Sequence, residues 1–77
     1  MFFKKKGDYM RVVDEFLISD NTKLRLQVGE FRGSERIDLR QYIKGADDEF
    51  IPTKKGVNFD SEWLPDFLAM VKKLENE

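Results

Sequence analysis

The stretch that decides the fold runs from Lys23 to Tyr42 and reads KLRLQVGEF, RG, SERIDLRQY. In its first part Leu24, Leu26 and Val28 alternate with Lys23, Arg25, Gln27, Gly29 and Phe31, the period of two that a half-buried strand requires. Arg32-Gly33 interrupts the alternation, and Gly33, free to adopt positive φ, suits a tight turn. From Ser34 the alternation resumes, with Ile37 and Leu39 on the core side and Arg36, Asp38, Arg40 and Tyr42 outward. The pattern predicts an antiparallel hairpin with an apolar face and a face that collects charge and aromatic rings.

Working outward, Val12 to Ser19 is β-branched and aromatic and ends in Ser19-Asp20-Asn21, whose side chains favour turns, which predicts a preceding strand. Residues 1–10 carry Lys4-Lys5-Lys6 and Gly7 without a period and read as a basic flexible tail, leaving residues 11–77 as one domain that starts near Arg11. After the polar loop Gly45 to Glu49, Phe50-Ile51-Pro52 and Val57-Asn58-Phe59 flank Thr53-Lys54-Lys55-Gly56. Pro52 removes a ladder donor, so this strand is expected to be interrupted or at a sheet edge. Asp60 is a good N-cap, Glu62 suits the positive end of a helix, and Pro65 falls early enough to be tolerated. The helix that follows places Trp63, Leu64, Phe67, Leu68, Met70, Val71 and Leu74 around more of its circumference than a single stripe. One side covers the sheet, and a second copy of the helix is the economical cover for the other. The expected architecture is α+β, an antiparallel sheet followed by one C-terminal helix, working as a homodimer through Trp63, Leu64, Phe67, Met70, Val71 and Leu74.

Composition narrows the chemistry. The chain has 77 residues, no cysteine and no histidine, so disulfide frameworks, thiolate or imidazole catalysis and the usual zinc sites are excluded together. A domain this short buries only about 60% of its unfolded surface, and a partner subunit would help it. No run approaches the roughly 18 apolar residues of a membrane span, and Met1-Phe2-Phe3 before the lysines lacks the core of a signal peptide, so an intracellular place is expected and no membrane partner. That place is cytoplasm or nucleoid in a bacterial or viral setting and nucleus in a eukaryotic one. No enzyme site can be written: Glu35 and Asp38 fall on opposite faces of a strand, Asp47-Asp48-Glu49 lacks the glycine and closing glutamate of a calcium loop, and no glycine loop cradles phosphate. No cofactor or metal is expected.

The net charge of −1 taken alone argues against nucleic acid, but between Lys23 and Lys44 the cations Lys23, Arg25, Arg32, Arg36, Arg40 and Lys44 outnumber Glu30, Glu35 and Asp38. The outward hairpin face gathers Arg25, Phe31, Arg36, Arg40 and Tyr42, with Arg32 at the turn. Cations neutralise phosphates, and an exposed ring gives an unpaired base a stacking platform of about 1–3 kcal/mol whatever its identity. On pattern alone the same residues also fit a solvated face with cross-strand ion pairs, Lys54-Lys55 an ordinary exposed loop, and Lys4 to Lys6 a solubilising tail.

Phe31-Arg32-Gly33, then Ile37-Asp38-Leu39-Arg40-Gln41-Tyr42, then Pro52-Thr53-Lys54-Lys55-Gly56-Val57 together resemble the C-terminal domain of the transcriptional positive cofactor four family, from about Phe16 to Leu74. The resemblance implies a curved four-stranded sheet with one helix, a homodimer joined through the helix and fourth strand, and binding of single-stranded or melted DNA across the sheets. It implies a coactivator or regulator, with the transcription machinery as a further partner, or a role in genome maintenance. By position Phe31 is the stacking aromatic, Arg32 and Arg40 are phosphate or base contacts, and Lys54 with Lys55 form the lysine loop. Three positions depart from the pattern: Ile43 stands where an aromatic is common, Ser34 where a basic residue is common, and Leu64 at the usual helix tryptophan, with Trp63 beside it. The first two imply either weaker binding or contacts shifted toward Arg36 and Tyr42, and the third bears only on packing. A protein-interaction module of the transcription machinery that binds little or no DNA is the alternative reading.

Overall fold

The structure, a computed structural model, describes residues 8–77. Its elements are β1 (Asp8–Ser19), β2 (Thr22–Phe31), β3 (Ser34–Lys44), β4 (Phe50–Asp60) and α1 (Leu64–Lys72), with 3-10 turns at Ser61–Trp63 and Lys73–Asn76. The four strands form one antiparallel sheet in chain order, so β1 and β4 are its edges.

The predicted hairpin is present in the predicted register. Phe31 pairs with Ser34 across the turn, Val28 with Ile37, Leu26 with Leu39 and Arg25 with Arg40. Arg32 at φ 55 and Gly33 at φ 83 both lie in the left-handed region, the geometry of a two-residue turn whose twist matches that of its strands. β1 begins at Asp8, so three residues of the segment expected to be a tail pair with Phe31, Glu30 and Gly29 of β2. The lysines of that segment lie outside the described residues.

β4 runs unbroken through Pro52, and the expected interruption takes the form of a bulge. Gly56 faces Arg40 while Pro52 faces Tyr42, so Thr53, Lys54 and Lys55 together oppose Gln41 alone. Pro52 is tolerated because β4 is an edge, which the sequence also allowed. After β4, Asp60 caps as expected by accepting a bond from the Glu62 amide at 2.9 Å, and Pro65 sits in the first helical turn.

Register sorts the side chains into two faces. One carries Leu24, Leu26, Val28, Ile37, Leu39, Ile43, Ile51, Val57 and Phe59. α1 packs over its β4 side, where Phe59 stacks on Trp63 at 6.4 Å between centroids and meets Phe67 at 5.0 Å. Cover is thin elsewhere. Leu24, Leu26 and Val28, expected as core, are only half-buried, and the buried apolar residues are Ile37, Tyr42 and Phe59. No residue of α1 is buried, and Leu68, Met70, Val71 and Leu74 are exposed.

Candidate nucleic-acid interface

The other face is polar and reads as a series of bands along β2 and β3. At one end Lys23, Lys44 and Phe50 meet, Lys23 Nζ lying 4.2 Å and Lys44 Nζ 5.6 Å from the ring centroid. Next, Arg25 lies over the ring of Tyr42 at 4.1 Å, and its Nε donates to Glu15 Oε1 at 2.7 Å. Tyr42 Oη accepts from Gln27 Nε2 at 2.9 Å.

In the middle, Asp38 accepts from Arg40 Nη2 at 2.9 Å and from Asn58 Nδ2 at 3.3 Å. Arg36 Nε donates to Asn58 Oδ1 at 2.8 Å. At the far end Arg32 lies 5.2 Å from the Phe31 ring, which is 54% exposed.

Arg25 and Arg40 face one another directly across β2 and β3, a like-charge pair that repels unless compensated. Glu15 on one side and Asp38 on the other supply the compensation. The bonds from Arg25 and then Lys23 hold the Glu15 carboxyl below the ordinary carboxylate range, and the bond from Asp38 raises Arg40 above its ordinary value. Arg40 also donates Nη1 to the Thr53 carbonyl at 2.9 Å, which leaves two of its five N–H groups for a ligand.

Two residues expected to stand outward in solvent do not. Tyr42 and Asp38 are on the polar face, yet they are 8% and 5% exposed because long neighbouring side chains lie across them. Tyr42 is therefore a shelf under Arg25 and not an open stacking platform. Phe31 is open, as expected.

Lys54 and Lys55 project from the bulge, both exposed. Thr53 holds it in shape: its hydroxyl donates to the Gln41 carbonyl at 2.8 Å and accepts from the Lys55 amide at 3.1 Å, replacing ladder bonds that the bulge interrupts. Gly56 is required there, since a Cβ would stand 2.6 Å from the Leu39 carbonyl oxygen and 2.8 Å from Arg40 Cα. Among the described residues, Arg32, Arg36, Lys44, Lys54 and Lys55 have no carboxylate within ion-pair distance.

The structure thus brings Arg25, Arg36, Arg40 and Tyr42 onto one face, puts Lys54 and Lys55 on the bulge of its edge strand, and sets Phe31 and Arg32 at its hairpin end. Sequence reasoning counted Lys23 and Lys44 in the basic stretch without placing them in the site, and it missed Phe50, Gln27 and Thr53. Lys23 has the outward parity of the quoted strand and was within reach, whereas Phe50 depends on a register that the bulge resets. Among the described residues no group of three acidic, histidine or cysteine side chains could hold a metal, and no helix is long and apolar enough to cross a membrane.

One antiparallel sheet with a helix on one face and a basic and aromatic surface on the other defines the class. The chain belongs to the transcriptional coactivator p15 (PC4) family, whose pattern it matches over residues 18–70. The fold recurs in the tetragonal crystal form of a PC4 homolog from Burkholderia pseudomallei K96243, with TM-score 0.79 and 19% identity over 87% of this chain and 98% of that one. The orthorhombic form of the same homolog gives 0.80 and 20% over 95% and 99%. A bacteriophage T5 homolog of the eukaryotic coactivator PC4, implicated in recombination-dependent DNA replication, matches with TM-score 0.69 and 27% identity over 87% of this chain and 78% of the phage chain. No curated protein sequence matches the chain.

Proposed function

We propose that this protein binds single-stranded or melted DNA, with little regard to sequence, across the polar sheet faces of a homodimer, and acts as a transcriptional coactivator or regulator. The observation that carries the reading is the succession of cations on aromatic rings along one face: Lys23 and Lys44 on Phe50, Arg25 on Tyr42, and Arg32 on Phe31. Such a surface offers charge to the backbone and π-faces to unpaired bases, and duplex DNA hides those base faces. In this reading Arg25, Arg32, Arg36, Arg40, Lys54 and Lys55 serve phosphates, Phe31 stacks a base, and Tyr42 positions Arg25. No acid/base pair, nucleophile or metal enters it, in keeping with a non-enzymatic role.

The homodimer is supported by what the single chain leaves bare. Trp63, Met70 and Leu74 are 62%, 63% and 69% exposed, with Leu64 and Val71 beside them, and Phe67 is only half-buried. A groove of about 500 Å³ between β4 and α1, lined by Val57, Phe59, Trp63, Phe67 and Met70 together with Asn58 and Asp66, is mostly apolar and open. It is the place for a partner helix and not for DNA, which needs the opposite face. The phage T5 relative favours replication or recombination as a second setting for the same binding.

Fluorescence anisotropy of a labelled single-stranded oligonucleotide of about 16 bases against its duplex tests the reading. Wild type is expected to prefer the single strand, with log K falling by about 0.7 per phosphate neutralised as log salt rises. Phe31→Ala is expected to lose about 1–3 kcal/mol, and the loss persists at high salt because stacking is not screened. Equal affinity for duplex and single strand, or no binding at low salt, overturns the reading in favour of a protein-interaction module.

A further inference from the structure

At the sheet end remote from Phe31, Lys23, Lys44 and Phe50 belong to the series of cations on rings described above but have no individual role in that reading. Beside them Glu15, directly across from Arg25 on β1, takes Arg25 Nε on one oxygen at 2.7 Å and Lys23 Nζ on the other at 3.1 Å. A carboxylate held between a guanidinium and an ammonium occupies the position that two phosphate oxygens would take between the same groups. The Glu15 side chain keeps 33% of its surface open, against 16% for Lys23 and 20% for Arg25, so the anion is the member freest to turn out into solvent.

We propose that Lys23, Arg25, Lys44 and Phe50 form a second single-strand subsite for one unpaired base and its flanking phosphate, and that Glu15 occupies the phosphate position in the free protein. The proposal rests on the DNA-binding reading above and adds a place and a gate to it. Binding exchanges one anion for another. Phosphate takes the Arg25 and Lys23 donors, Glu15 turns to solvent, and Lys23 moves off Phe50 so that a base can stack there. Exposed ion pairs contribute little to stability, so Glu15 can leave without loosening the sheet. The two cations keep Glu15 ionised, which makes the exchange one of anion for anion without a proton. β2 has ten residues, which puts the Phe31 and Phe50 ends about 30 Å apart and lets one strand of DNA engage both.

The test is anisotropy titration of the same single-stranded oligonucleotide across a salt series with wild type, Glu15→Gln, Phe50→Leu, Phe31→Ala and the Phe31→Ala/Phe50→Leu double variant. Glu15→Gln is expected to bind about two- to fivefold tighter, the strength of the surface ion pairs it removes, with a salt slope steeper by about 0.7. Phe50→Leu keeps an apolar side chain but loses the π-face, and is expected to weaken binding at least about fivefold even at high salt. Its loss adds to that of Phe31→Ala in the double variant, as distant sites require. Unchanged or weaker binding by Glu15→Gln, or wild-type affinity in Phe50→Leu at high salt, overturns the subsite. If Phe31→Ala alone weakens binding, only the subsite falls; if wild type binds no oligonucleotide, the DNA-binding reading falls with it.

Discussion

The two faces of the sheet invert the usual rule of burial. On the polar face Asp38, Gln27 and Tyr42 are 5%, 9% and 8% exposed, while on the helix side Phe16, Ile43, Ile51 and Val57 are 62%, 44%, 49% and 50% exposed. Polar groups are hidden and apolar ones are bare, which is the informative direction for both. The polar face has closed over itself: long arginine and lysine stems lie flat, and every buried side-chain polar atom among the described residues has a hydrogen-bond partner. The apolar face has less means of self-cover: Trp63 and Phe67 lie against Phe59, and on that face only Phe59 and Ile37 are buried among the described residues. One face fits exchangeable ligands, and the other fits a constant partner.

The sharpest way to break this contrast is on the helix. Met70→Glu with Leu74→Glu, at positions that are solvent-exposed in the single chain, costs a monomer almost nothing but puts charges into a dimer interface. Analytical ultracentrifugation is expected to show the wild type as a dimer and the double variant as a monomer, with a loss of thermal stability. A variant that keeps wild-type mass would mean that the bare face has another cover.

On the polar side, Asp38→Ala removes the acceptor shared by Arg40 and Asn58. Leaving a fully buried donor unpaired costs about 1–3 kcal/mol, and since Asn58 is exposed and a fifth of the Arg40 side chain stays in water, the effect falls in the lower half of that range. Urea unfolding would measure it, and a change within error would show that the network is ornamental to the fold.

The smallest effect belongs to Glu15. Its folded-state pKa is depressed by Arg25 and Lys23, so its contribution to stability is present above the unfolded value near 4.5 and is lost as pH falls through the lower folded value. Melting temperatures of wild type and Glu15→Gln should differ slightly at pH 7 and converge below pH 4.5. A gap that widens on acidification would contradict the assigned pairing.

Alternation made the hairpin legible, because Leu24, Leu26 and Val28 against Arg25 and Gln27 admit one register around Arg32-Gly33. The Asp60 cap was legible for the same local reason. The start of β1 was not: Asp8 to Met10 carry no period, and it is pairing with Gly29 to Phe31 that makes them strand. Thr53 to Gly56 read as a loop because bulge residues and loop residues have the same composition, and only the bonds from Thr53 tell them apart. For the site, the period of two assigned Tyr42 and Asp38 to the right face without saying whether that face stays open. That depended on Arg25 and Arg40 lying down, and Arg25 does so toward Glu15, a residue on another strand. The stacked geometry at Phe50 was hidden by the same bulge that displaced its register.

Arg32 sits at φ 55, a region where glycine and asparagine rest more easily and where a side chain such as arginine pays about 1 kcal/mol. With the proposed phosphate role of Arg32, residue 32 would be under two opposed selections. A population screened only for heat resistance would drift there to glycine or asparagine, and one screened for ligand retention would hold arginine against that drift. The identity of this one turn residue in a set of variants would record which pressure their lineage had met.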